Sequence, residues 1–125
     1  MSTGSTLLVV EDDPHIRSVL AEMLTDEGYA VLEAEDGMAA MHLLHQHLPP
    51  PATLCLVILD MMLPGSSGLD VLRELARLGN YTPVVAMSAD YQQLRRASDA
   101  GADDTLPKPF NLDQLLEVVE RNCAS

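Results

Sequence analysis

Four acids, a serine and a lysine each stand just after a short run that reads as a strand. Glu11, Asp12 and Asp13 follow TLLVV, Asp60 follows LCLVIL, Ser88 follows PVVAM, and Lys108 follows DTLP. If those runs lie side by side and point the same way, carboxylates, a hydroxyl and an ammonium meet along one edge. Crowded carboxylates repel and stay ionised together only beside positive charge. Mg²⁺ suits such a set of oxygen ligands, because it displaces few of its waters and leaves a coordination position open to a phosphate oxygen. Asp60 is the hardest to explain as surface charge, since an acid straight after the most apolar run is desolvated unless it is paired. Asp13, before Pro14, is explained well as a helix N-cap with proline at the next position. Ser88 alone would pass for a cap and Lys108 alone for a solvated charge, but Lys108 lies between Pro107 and Pro109 and is the chain's single lysine beside six arginines.

Five strand-length runs alternate with five amphipathic segments. Thr6 to Val10 is a nearly continuous apolar strand, the pattern of a strand covered on both faces. Ile16, Val19, Leu20, Met23 and Leu24 recur at helical spacing over His15 to Glu27, and Gly28 stops that helix. Tyr29 to Glu33 is a short strand and Asp36 to His47 a helix, after which Pro49, Pro50 and Pro51 make a rigid connector. Leu54 to Leu59 is expected as the central strand. Pro64, Gly65 and Gly68 then break the chain before a helix over Leu69 to Leu78 that ends at Gly79. Pro83 to Met87, Tyr91 to Ala100, Asp104 to Pro107 and Leu112 to Asn122 complete the series as strand, helix, strand, helix. This alternation implies parallel strands joined by right-handed crossovers, hence a three-layer α/β sandwich. Ligands of such sheets bind beyond the carboxyl ends of the strands, where the polar residues above gather.

The chain of 125 residues is long enough to bury about two-thirds of its unfolded surface, and no linker or repeat divides it, so residues 1–125 are expected to form one domain. Nineteen acids against seven basic residues give a net charge of -12, which disfavours contact with nucleic acid or an anionic membrane. No apolar run reaches the roughly 20 residues of a membrane span, and Met1 to Thr6 lacks the features of a signal peptide, so a cytoplasmic protein is expected. Cys55 and Cys123 have no metal-ligand spacing and are expected as two separate reduced thiols. His42, His45 and His47 lack an acid or cysteine in register and read as a solvated helix face, as do Arg95 and Arg96.

With these motifs in hand, the chain resembles the receiver domain of two-component response regulators from about Leu7 to Asn122. LLVVEDDPHIR is similar to that family's first strand and acidic pair, LVILDMMLPGSSGLDVLREL to its phosphorylation-site strand, loop and helix, and VVAMSAD and GADDTLPKPF to its last two strands. The resemblance implies a doubly wound, flavodoxin-like (βα)5 fold with parallel sheet order 2-1-3-4-5. It implies that Asp60 is the phosphoacceptor, that Asp12 binds Mg²⁺ directly and Glu11 through water, and that Met62 offers its backbone carbonyl to the same ion. Ser88 would hydrogen-bond the phosphoryl oxygens, Lys108 would pair with Asp60 or its phosphoryl group, and small Ala89 would let the phosphodonor approach. The Lys108–Pro109 bond would be cis, a geometry open to proline.

The implied function is a phosphorelay switch that takes phosphate from a sensor histidine kinase or histidine phosphotransfer protein and acts on an effector domain or downstream protein. Such a chain catalyses only its own phosphoryl transfer and dephosphorylation, so it is not expected to be an enzyme with a separate substrate. Two departures bear on output: Thr105 stands where the family usually has Tyr or Phe, and the stretch from Ser88 to Lys108 is about two residues short. Asp103 and Asp104 resemble an acidic pair of DNA-binding members, but Gln114 and Glu120 do not complete their interdomain ion-pair pattern. The clean start, the short fourth-helix region and the missing aromatic point to an atypical or stand-alone receiver, the other reading being a receiver cut from a longer protein. A phosphorylation-independent protein-binding module is the alternative reading. A phosphohydrolase with an aspartyl nucleophile ranks last, because Asp60-Met61-Met62 lacks a second acid two residues on.

Overall fold

The computed structural model describes residues 5–47, 54–65, 67–79 and 82–123. The proline run at 49–51 lies outside these residues. Five strands, β1 (Thr6–Val10), β2 (Ala30–Ala34), β3 (Leu54–Asp60), β4 (Val84–Ser88) and β5 (Asp104–Pro107), alternate with α1 (Pro14–Asp26), α2 (Gly37–His47), α3 (Gly68–Arg77), α4 (Tyr91–Asp99) and α5 (Leu112–Asn122). All strand pairs are parallel, in the order β2-β1-β3-β4-β5. This is the expected doubly wound arrangement, and three of the ten elements keep their expected bounds while the rest move by one residue at one or both ends.

Alternation along the buried strands builds a core on each face of the sheet. Leu8 and Val10 of β1, Val57 and Leu59 of β3, and Val84 and Ala86 of β4 pack with Ala40, Leu44, Val71, Leu72, Leu75 and Leu94 of α2, α3 and α4. Leu7, Val9, Ile58, Val85 and Met87 face the other way, onto Leu20 and Leu24 of α1 and Leu115, Val118 and Val119 of α5. Burying both faces explains why these strands read as continuous apolar runs.

Side chains set the helix ends. Asp13 accepts hydrogen bonds from the Ile16 and His15 amides, and Pro14 takes the first helical position of α1 as expected. Gly28 follows that helix at φ +98°, a backbone conformation that glycine tolerates. Gly68 does not break the chain. Ser67 and Asp70 form a reciprocal capping box that starts α3 at Gly68.

The two cysteines correct the expectation of separate thiols. Cys55 and Cys123 form a disulfide across a sequence separation of 68, with Cα atoms 5.2 Å apart. Spacing in the chain gave no sign of it, because the contact arises only when α5 returns its last residues to the start of β3.

Candidate functional site

Strand register assembles the site. Val10 pairs with Leu59, Asp60 with Met87, and Ser88 with Pro107. Glu11, Asp60, Ser88 and Lys108 therefore leave four neighbouring strands at the same edge. Glu11, Asp60 and Ser88 are the polar residues buried in the described part of the chain, at 1%, 3% and 1% exposure.

Lys108 holds the two buried acids. Its Nζ donates to Glu11 Oε1 at 2.7 Å and to Asp60 Oδ2 at 3.1 Å. Burial pulls the ammonium's pKa down, but hydrogen bonds to Glu11 and Asp60, together with their charges, outweigh it and raise the pKa above the ordinary lysine value. The remaining carboxylate oxygens are oriented by backbone: Asp60 Oδ1 accepts from the Met62 amide at 2.9 Å, and Glu11 Oε2 from the Asp13 amide at 3.2 Å. Ser88 Oγ accepts from the Asp90 amide at 3.0 Å, while its carbonyl accepts from the Lys108 amide at 2.9 Å. The latter bond ties the lysine loop to β4. The Lys108–Pro109 peptide is cis.

The expected residues thus come together, with differences in setting. Carboxylate oxygens of Glu11, Asp12 and Asp60 all lie within 4.8 Å of one another, Asp12 being exposed and the other two buried. Three hard oxygen donors facing one ammonium leave net negative charge at the centre, and the exposed side supplies room for water. That donor set fits Mg²⁺ better than a softer metal. Met62 meets the site through its backbone amide, which donates to Asp60, and the residue is 59% exposed. Ala89 is exposed at the rim. His42, His45 and His47 form no group of three metal ligands among the described residues, and His45 Nε2 lies 3.7 Å from Glu74 instead. Arg95 and Arg96 are exposed on α4.

Three further residues support the site. Arg17 Nη1 donates to the Glu11 carbonyl at 2.8 Å, and its Nε lies 3.4 Å from Glu33, so it fastens the acidic turn to β2. Its position one turn after Pro14 on a helix is a signal, but only one that gains meaning once the turn is known. At Gly68 a Cβ would sit 2.7 Å from Met61 Cα and 3.0 Å from the Asp60 carbonyl, so glycine lets α3 approach the loop that follows Asp60. Phe110 joins Ile16, Val19, Leu20 and Met23 in lining an apolar groove of about 430 Å³ that reaches Ala89 and Lys108.

Known proteins share this fold. The sequence profile of the family described as response regulator receiver domain matches residues 7–120. A probable transcriptional regulatory protein of Picosynechococcus is 40% identical over 120 residues, covering 93% of this chain and 48% of that protein. The chain spans about half the length of the curated relatives it matches. Among solved structures, the response regulator TrrA of Thermotoga maritima in complex with Mg²⁺ and BeF superposes with a TM-score of 0.82 at 34% identity, covering 94% of this chain and 97% of that one. The receiver domain of a Pseudomonas aeruginosa sensor histidine kinase, with magnesium coordinated in its active-site cleft, gives a TM-score of 0.86 at 29% identity, covering 98% and 100%.

Proposed function

Since the chain belongs to the response regulator receiver family, we propose that it is a phosphorylation switch of a two-component relay with Asp60 as phosphoacceptor. The observation that carries this reading is the Lys108 ammonium within hydrogen-bond reach of a buried aspartate at the carboxyl edge of the sheet. An ionised carboxylate needs no general base. One Asp60 oxygen attacks phosphorus, the new O–P bond forms as the donor's N–P bond breaks, and the electron pair leaves with the donor's imidazole nitrogen. Lys108 then faces the equatorial oxygens with its positive charge, and Ser88 faces them with its hydroxyl. Asp12, Glu11, Asp60 and the Met62 carbonyl would hold Mg²⁺, which when bound neutralises phosphoryl charge.

The donor on this reading is a sensor histidine kinase or histidine phosphotransfer protein of the cytoplasm. The apolar groove beside Lys108 and Ala89 supports docking of such a partner next to the acceptor. The chain performs its own phosphoryl transfer and dephosphorylation and is not an enzyme for other substrates. An effector domain or a downstream protein receives the signal. The charge of -12 argues against nucleic-acid contact by these residues, while the relatives' names leave that role to the rest of a longer regulator.

Beryllofluoride, a mimic of the phosphoryl group, tests the site without a partner. With Mg²⁺ it should raise the melting temperature of the wild type and leave Asp60→Asn unchanged. An equal rise in both proteins would refute Asp60 as the acceptor. A second reading, a binding module indifferent to phosphate, is favoured by the half-buried Thr105 in place of the aromatic switch. It predicts the same partner affinity for wild type and Asp60→Asn.

A further inference from the structure

The amino-terminal edge of the sheet, opposite the acidic pocket, carries its own chemistry. Thr6 pairs with Leu54 and Leu7 with Leu56, so Cys55 is the extra residue of a β-bulge. As a result Cys55 and Leu56, although consecutive, both turn to the face covered by α1 and α5. That face holds Cys123, the C-cap of α5, packed beside Val118 and Val119. The Cα separation of 5.2 Å is within the range a disulfide spans without backbone movement. Cys55 is half-buried and Cys123 is 8% exposed, so a small thiol reagent reaches the pair from the Cys55 side. Five residues of strand, about 16 Å, separate Cys55 from Asp60, which keeps the two chemistries apart.

We infer that Cys55 and Cys123 form a redox modification site at which a small-molecule disulfide closes a covalent clasp between α5 and the central strand. The Cys55 thiolate attacks the reagent's S–S bond, giving a mixed disulfide and one small thiolate. The Cys123 thiolate then attacks the Cys55 sulfur, forming the internal bond and releasing the second small thiolate. The two cysteine protons end on the two released thiols, and the protein's two-electron oxidation matches the reagent's reduction. Excess small thiol reverses both steps. The bulge is the specific device, since a regular strand would alternate Cys55 and Leu56 to opposite faces.

The test equilibrates the protein with glutathione over a series of oxidised-to-reduced ratios, blocks free thiols with an alkylating reagent, and reads intact mass and melting temperature. The wild type should pass from doubly alkylated to unalkylated across the series, and the oxidised form should melt about 10 °C higher than the reduced one. Cys55→Ser and Cys123→Ser should show no oxidation-dependent rise in melting temperature. Wild-type protein that stays doubly alkylated under the most oxidising buffer, or that accumulates glutathione adducts in place of the internal bond, would overturn the site. Unalkylated protein persisting at the reducing end would overturn its reversibility, and an internal bond without a change in melting would overturn its role as a clasp on α5.

Discussion

Lys108 is held by two acids, and that double contact decides what its removal does. In Lys108→Ala, Glu11 and Asp60 face each other and Asp12 without the ammonium, so stability measured by urea unfolding should fall by about 2 kcal/mol in the absence of divalent cations. Millimolar Mg²⁺ should recover much of that loss by binding the vacated negative centre of the folded state. An unchanged urea midpoint without Mg²⁺ would contradict the lysine's part in holding the acids together. Asp104 is likewise held by charged and polar neighbours. Burial raises its carboxyl pKa, but hydrogen bonds from Asn122, from Arg121 at 2.8 Å and from the Thr105 amide, with the Arg121 charge, outweigh burial and hold it below the ordinary value. A depressed folded pKa gives stability that is present above the unfolded pKa and lost as pH falls through the folded one. Because Arg121 is about half exposed, the gap between wild type and Asp104→Asn should be only about 1 kcal/mol at pH 7. It should close as pH drops below about 4, the range in which unpaired aspartate protonates, as read by melting temperature against pH.

Elements were easier to read from the sequence than the contacts between them. TLLVV and LCLVIL announce strands because a parallel sheet buries both faces and demands uninterrupted apolar residues. The site was legible for the same reason, since polar residues that end buried strands of one direction must share an edge. What the sequence hid depends on distant segments meeting. The bulge at Cys55 has no local signature, and neither cysteine announces a partner 68 residues away. Gly68 looked like a breaker because glycine usually is one, whereas its absent side chain serves a close approach between α3 and Met61. Gly68→Ala should therefore cost about 2 kcal/mol in urea unfolding, since backbone rather than a flexible tip blocks the new methyl. A loss within experimental error would show that the loop after Asp60 yields freely.

Across the molecule, the sheet separates two kinds of chemistry by its direction. The carboxyl edge concentrates acids around one ammonium, and the opposite edge carries the cysteine pair. Among the described residues no helix is long and apolar enough to cross a membrane. The charge of -12 thus divides between a few acids that make the pocket and many that solvate helix faces, and the scarce lysine stands where an ammonium is needed. Phosphorylation would add about one negative charge at that ammonium, a local change able to shift an existing equilibrium in the loop between β4 and α4. Whether Asp60 accepts a phosphoryl group is read by intact-mass measurement after incubation with Mg²⁺ and acetyl phosphate. The wild type should carry a single phosphoryl adduct that Asp60→Asn lacks; no adduct on the wild type, or an equal yield on Asp60→Asn, would contradict Asp60 as the acceptor.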